Sequence, residues 1–305
     1  MSKKTAVLDP LAEGYLAYLQ DVGRKAPGTV KDVRCTLRRV TIDMESYRPG
    51  GVLWELRLED YLHWLEEQRR IGLSGKTLSK NISHLRGFLD YTLRGGYSQR
   101  NVLDGFSIQE ESRQDVPRAI SEADALKMVS LCPRQTLEQR RDRIVIILLY
   151  GCGLRTTELC DLNMDSVDLQ RRELLVHGKG DRDRMVPIPA GVFVELQSYM
   201  LEQRRHSSAL LRTSFHRSRL NVKEVNRIVR LATSRAGLPR WVTAKALRHS
   251  YATHLMDRGV DISIISSLMG HRSPRETGVY LHVLGNKPRE AVDRLKAAVK
   301  EGGAA

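Results

Sequence analysis

The chain has 305 residues, room for about two domains at the usual ~150 residues each, and its 41% hydrophobic and 28% charged content suits a globular protein with a real core. Fifty Lys and Arg against 36 Asp and Glu leave a formal charge of +14, which favours a polyanionic partner, nucleic acid first of all. The longest apolar run, Ile144 to Tyr150, is seven residues and far below the ~18 a membrane helix needs.

The start, MSKKTAVLDPLAEG, lacks the apolar core and cleavage site of a signal peptide. Cys35, Cys132, Cys152 and Cys160 lack the paired short spacing of zinc ligands. Cys152 and Cys160 read as buried free thiols of a reducing cytoplasm.

The first hundred residues read as helices with short turns. Leu11 to Leu19 is apolar at helical spacing. Pro27-Gly28 reads as a break, with Thr29 capping a helix whose Lys31, Arg34, Arg38 and Arg39 share a face. Leu58 to Gln68 is expected to be helical, with Leu58, Tyr61, Leu62 and Leu65 inward. After Gly72 and Gly75, Leu78 to Leu93 gives another helix, with Ile82, Leu85, Phe88 and Leu89 inward and Lys76, Lys80, His84 and Arg86 on its polar side. Basic faces of this kind are often merely solvated. Two in one small bundle point toward DNA contact, with Arg34, Arg38 and Lys80 as candidates.

Ser107 to Val116, SIQEESRQDV, is polar and precedes Pro117, so it reads as a linker between domains at 1–106 and 117–305. Residues before it carry 17 basic and 13 acidic side chains, the rest 33 and 23, so both parts are positive and could grip a polyanion from two sides.

Ser121 is a predicted N-cap, with Asp124 three residues on and Ala125, Met128 and Val129 following. A helix through Arg143 to Tyr150 stops at Gly151 and Gly153. Leu174 to Val176 and Met185 to Ile188 form a β-hairpin around Gly178-Lys179-Gly180-Asp181. Helices are then expected over 192–203, 222–236, 247–258, 262–269 and 289–300. The predicted class is mainly α with a small antiparallel sheet.

Four segments of the second part can carry chemistry. Arg155 follows Gly151 and Gly153 at a helix start, where a guanidinium beside free N–H groups suits a phosphate oxygen; a surface ion pair with Glu158 is the competing reading. Lys179 lies between two glycines on the hairpin tip and can swing into a nearby site, although most such turns are only solvated. Lys245 and Arg248 stand three apart at a helix start and can point the same way. His271 follows Gly270, and Tyr280 lies nine residues beyond; by default these are a helix-end histidine and a core aromatic.

Order and spacing together are far more specific. The run LRHSYATHLMDRGVDISIISSLMGH, then VYLHV, resembles the C-terminal signature of the tyrosine recombinases, the integrase family of phage, integron and Xer enzymes. The resemblance extends from VPRAISEAD at Val116 to the end, and the first hundred residues are similar in layout to that family's helical core-binding domain. It implies that Arg155 and Arg248 clamp the scissile phosphate, Glu158 supports the site, Lys179 protonates the leaving 5′ oxygen, His271 lies near the phosphate and Tyr280 is the nucleophile. Lys245 stands where the family usually has His; an ammonium can still donate to a phosphate oxygen but is a poor general base.

Two arginines, Lys245 and His271 would supply fixed donors to the charge on the nonbridging oxygens. Tyrosine, with a pKa near ~10, needs nearby cations to attack. A phosphotyrosyl intermediate conserves the bond energy, so no cofactor is expected, and no Walker A loop, GxGxxG or acidic cluster for Mg²⁺ is found.

The implied partners are double-stranded DNA with inverted-repeat sites and further copies of the chain, a tetramer on two paired sites, with no membrane; the implied place is the cytoplasm, at a bacterial nucleoid. Ala291, Val292, Leu295, Ala298 and Val299 form an apolar stripe that either folds back or docks on a neighbouring protomer. A type IB topoisomerase-like enzyme and an inactive DNA-binding relative are the alternatives. The tail and N-terminal helices argue against the first, the complete residue set against the second.

Overall fold

A computed structural model describes residues 7–108, 118–178, 182–203, 208–213 and 218–270. The chain gathers into two compact units, Met1–Gln114 and Asp115–Ala305.

The first unit is helical: α1 (Pro10–Asp21), α2 (Pro27–Tyr47), a 3-10 turn (Leu53–Glu55), α3 (Leu58–Arg70) and α4 (Gly75–Arg94). The Asp9 side chain caps α1 by accepting from Leu11 N at 2.7 Å, and Ser74 caps α4. Pro27 does not break the chain as expected. It opens α2, because Pro at the first helical position gives up an N–H that has no intrahelical partner anyway, and Ala26 rather than Thr29 is the flanking residue. The core gathers Leu16, Leu37, Val40, Tyr61, Leu65, Ile82, Leu85, Phe88 and Leu89. Leu62 is corrected: it is exposed, and Trp64 takes the inward place.

The second unit is built around α6 (Leu137–Gly151), whose Ile144 to Leu149 are all buried. Around it lie α5 (Glu122–Ser130), capped by Ser121 as predicted, α7 (Thr156–Asp161), α8 (Ala190–Glu202), α9 (Val222–Arg235) and α10 (Ala244–Asp257), and α11 (Ile262–Met269) packs on α10. A three-stranded antiparallel sheet, β1 (Val167–Asp168), β2 (Glu173–Gly178) and β3 (Arg182–Pro187), runs in the order β1-β2-β3. In the β2–β3 register Leu174 faces Val186 and Val176 faces Arg184. The predicted class, mainly helical with a small antiparallel sheet, holds, and the sheet has one strand more than the hairpin that was expected. No helix among the described residues is long and apolar enough to cross a membrane.

Cys132, Cys152 and Cys160 are buried free thiols, and burial pushes Cys152 up to about 12 and Cys160 up to about 11. Cys35 is exposed.

Candidate active site

The centre of the second unit's polar chemistry is a buried carboxylate. Arg155 flanks the start of α7 and Glu158 lies one turn in, so the Glu158 carboxylate folds back to accept from Arg155 N at 2.8 Å and from Arg155 Nη1 at 2.7 Å. The ion pair that was the competing reading of Arg155 therefore forms, but around a carboxylate that is only 4% exposed rather than at the surface. Arg184 on β3 adds a fork, donating Nη1 to Oε1 at 2.9 Å and Nη2 to Oε2 at 2.8 Å. Arg248 on α10 brings Nη1 to 3.6 Å from Oε2.

Burial alone would raise the Glu158 pKa. The hydrogen bonds from Arg184 and Arg155 and the charge of Arg184 overcome it and hold the carboxyl down at about 2. Three guanidiniums around one carboxylate leave a net surplus of positive charge, which is what a bound phosphate would neutralise.

Each arginine also holds a backbone carbonyl near the end of α11. Arg184 Nε donates to Leu268 O at 2.8 Å, Arg248 Nη2 to Met269 O, and Arg155 Nη2 to Gly270 O at 2.9 Å. Three successive carbonyls that a helix end leaves without intrahelical partners are thus satisfied by three cations. Arg248 further donates Nη1 to Gly153 O at 2.6 Å.

Two glycines make this convergence possible. Gly153 has φ +62° and lies under the Tyr251 ring, where a Cβ would fall 2.4 Å from Cδ1. Gly270 has φ +60° and lies against Arg184, where a Cβ would fall 2.9 Å from Nη1. Both need the left-handed backbone and the missing side chain.

Helix α10 is fixed by its own side chains. Ser250 Oγ accepts from Ile120 N at 2.9 Å, while His254 Nε2 meets Ile120 O at 3.1 Å and Nδ1 meets the Tyr150 hydroxyl at 2.8 Å. A carbonyl opposite Nε2 requires a proton there, so Nδ1 accepts from Tyr150.

Of the residues expected in the site, Arg155, Glu158 and Arg248 come together. Lys245 does not join them inside: three residues before buried Arg248, it lies exposed on the first turn of α10. Lys179, His271, Tyr280 and the tail from Asn286 lie outside the described residues, as does most of the Ser107 to Val116 segment. Arg184 was missed at the sequence level.

In the first unit Arg34 pairs with Glu13 at 2.6 Å and Lys80 with Asp32 at 3.3 Å, both in partly exposed positions. Arg38 has a buried Nε with no partner among the described residues. His84 bonds Thr36 at 2.8 Å, and burial lowers its pKa.

Both parts of the chain are similar to known proteins. The phage integrase family matches residues 118–287, and its N-terminal SAM-like domain matches residues 12–96. The tyrosine recombinase XerA of Thermococcus onnurineus is 33% identical over 298 residues, covering 95% of this chain and 96% of that protein. Among solved structures, the Tn1549 transposon integrase in complex with a circular intermediate DNA has a TM-score of 0.71 at 18% identity, covering 93% of this chain and 99% of that one. A lambda integrase dimer bound to a COC′ core site has a TM-score of 0.69 at 16% identity, covering 88% and 93%. The chain belongs to the phage integrase family, as a SAM-like N-terminal domain followed by an integrase catalytic domain. Its activity is that of a Xer-like tyrosine site-specific recombinase, which breaks and rejoins DNA.

Proposed function

We propose that Tyr280 is the nucleophile of this recombinase and that Arg155 and Arg248 clamp the scissile phosphate, with Glu158 holding them in place. The supporting observation is the convergence of both arginines on one buried carboxylate, 2.7 and 3.6 Å away. A fixed pair of guanidiniums meets the charge that develops on the nonbridging oxygens without having to reorganise. The Tyr280 phenol gives its proton to water as its oxygen bonds phosphorus; the bond to the 5′ oxygen breaks, and Lys179 delivers a proton to that oxygen. His271 and Lys245 donate to the phosphate, Lys245 from its exposed place on the first turn of α10 and in the role the family usually gives to His. The 3′-phosphotyrosyl bond keeps the energy for rejoining, so the residues themselves need neither metal nor ATP.

Tyr251 is the competing phenol. Burial pushes its pKa up to about 12, which makes it a poor nucleophile and favours Tyr280.

The domains are assigned to 1–106, a linker at 107–116 and 117–305. Arg34, Arg38 and Lys80 grip DNA phosphates from the first domain, where the ion pairs of Arg34 and Lys80 are open to exchange for phosphate. Inverted-repeat sites, a tetramer on two paired sites and work at cytoplasmic DNA complete the proposal.

The test is Tyr280→Phe on a nicked duplex carrying the site this protein enriches from random-sequence DNA. The ring stays and only the attacking oxygen goes, so binding is retained and the covalent protein–DNA adduct disappears. An undiminished adduct would move the nucleophile elsewhere, with Tyr251→Phe the next variant to examine.

A further inference from the structure

Strand β3 carries a charge on its buried side. Val186 and, across the hairpin, Val176 are fully buried, while Met185 between Arg184 and Val186 faces outward. Arg184 faces Val176 and is in step with Val186, so its side chain enters the covered side and is only 11% exposed. A guanidinium there must be paired. Its fork closes on both oxygens of Glu158, its Nε closes on Leu268 O, and its face lies against Gly270.

These contacts join three parts of the molecule. One is the β2–β3 hairpin, whose tip bears Lys179. Another is Glu158, which orders the two clamp arginines. The last is the end of α11, from which the chain passes directly to His271. We propose that Arg184 is a positioning residue for strand breakage: it fixes the hairpin to Glu158 and to the end of α11, and so sets where Lys179 reaches. This rests on the roles given above to Lys179 and Tyr280.

The chemistry supplies a readout that a merely structural role would not move. Expelling the 5′ oxygen as an alkoxide needs a proton. A sulfur at the same bridging position leaves as a thiolate, whose parent thiol has a pKa near ~8.5, and needs none. A defect in placing Lys179 is therefore relieved by sulfur, whereas a defect in the clamp or in the fold is not.

The experiment follows first-turnover adduct formation by the full chain on the nicked duplex described above, with oxygen or sulfur at the 5′ bridging position. Arg184→Gln is expected to bind the duplex as before and to cleave the oxygen substrate roughly 100-fold more slowly, the size of effect an ångström of misplacement produces. Sulfur restores most of that rate, as it does for Lys179→Ala. Arg184→Lys keeps the charge but loses the fork, and falls between; should Arg184→Gln not fold, Arg184→Lys carries the same comparison. An unaltered rate on the oxygen substrate overturns the proposal, and so does rescue of Lys179→Ala without rescue of the Arg184 variant. If sulfur does not rescue Lys179→Ala, or Tyr280→Phe still forms the adduct, the roles of Lys179 or Tyr280 fail, and the Arg184 proposal falls with them.

Discussion

The basic residues of the two units look alike in the sequence and behave differently in the structure. In the first unit Arg34 and Lys80 each face one acid in partly exposed pairs, where an ion pair contributes about 0–1 kcal/mol and salt screens it. In the second, Arg155, Arg184 and Arg248 surround one buried carboxylate and hold carbonyls of the chain itself. The first kind of charge can be handed to a phosphate at little cost to the fold. The second is part of the fold, and its geometry exists before any phosphate arrives. The lesson is that net charge marks the partner, while burial marks which charges are built into a site.

The comparison can be broken most forcefully at Glu158. Glu158→Ala leaves three arginines facing one another without their carboxylate, and breaking a buried charged cluster costs roughly 3–5 kcal/mol. Thermal unfolding should show a large fall in midpoint for this variant, and an unshifted midpoint would mean that the cluster is not structural.

Acid probes the same carboxylate. Its folded pKa is depressed, to about 2, so its contribution is present above the unfolded value near ~4.3 and is lost as pH falls toward 2. The stability at stake is on the order of 3 kcal/mol. Stability measured from pH 6 down to pH 2 should fall more steeply in the parent chain than in Glu158→Gln.

Gly153→Ala tests the close approach that lets Arg248 reach the Gly153 carbonyl. A left-handed backbone for Ala and a collision with the Tyr251 ring together cost roughly 2 kcal/mol or more, readable as a lowered unfolding midpoint. Gly153→Ala with an unaltered midpoint would show that the ring can move aside freely.

The smallest effects on stability belong to the exposed pairs. Arg34→Ala and Lys80→Ala should each change stability by less than about 0.5 kcal/mol while lowering the salt slope of DNA binding by about one unit. Parent-like slopes would remove these residues from the DNA face.

Much of this could be read from residue spacing, because helices advertise their buried stripes locally. Tyr61, Leu65, Ile82, Leu85, Phe88 and Leu89 are buried as their spacing implied. Leu62 misled because it borders that stripe, and the helix turns Trp64 inward instead. Strand β1 has two residues, too few for any alternation to show. Arg155, Glu158 and Arg248 were singled out through their motifs, yet no motif said that both arginines meet around the Glu158 carboxylate, since that depends on distant segments folding together. Arg184 sat in Arg182-Asp183-Arg184, which reads as a solvated charged turn. Its two-residue step from Val186 was the available signal that it faces inward.

Gly270 has a further consequence as a fixed point. Its carbonyl is held by Arg155, and Tyr280 follows ten residues later. At most ~3.6 Å of chain per residue confines the Tyr280 Cα to a sphere of roughly 36 Å about that anchor, and the phenol to one side-chain length more, whatever path the intervening stretch takes. The proposed attacker is therefore leashed to its own clamp, and its encounter with a phosphate seated there is governed by a tether-defined local concentration rather than by how much enzyme the cell contains.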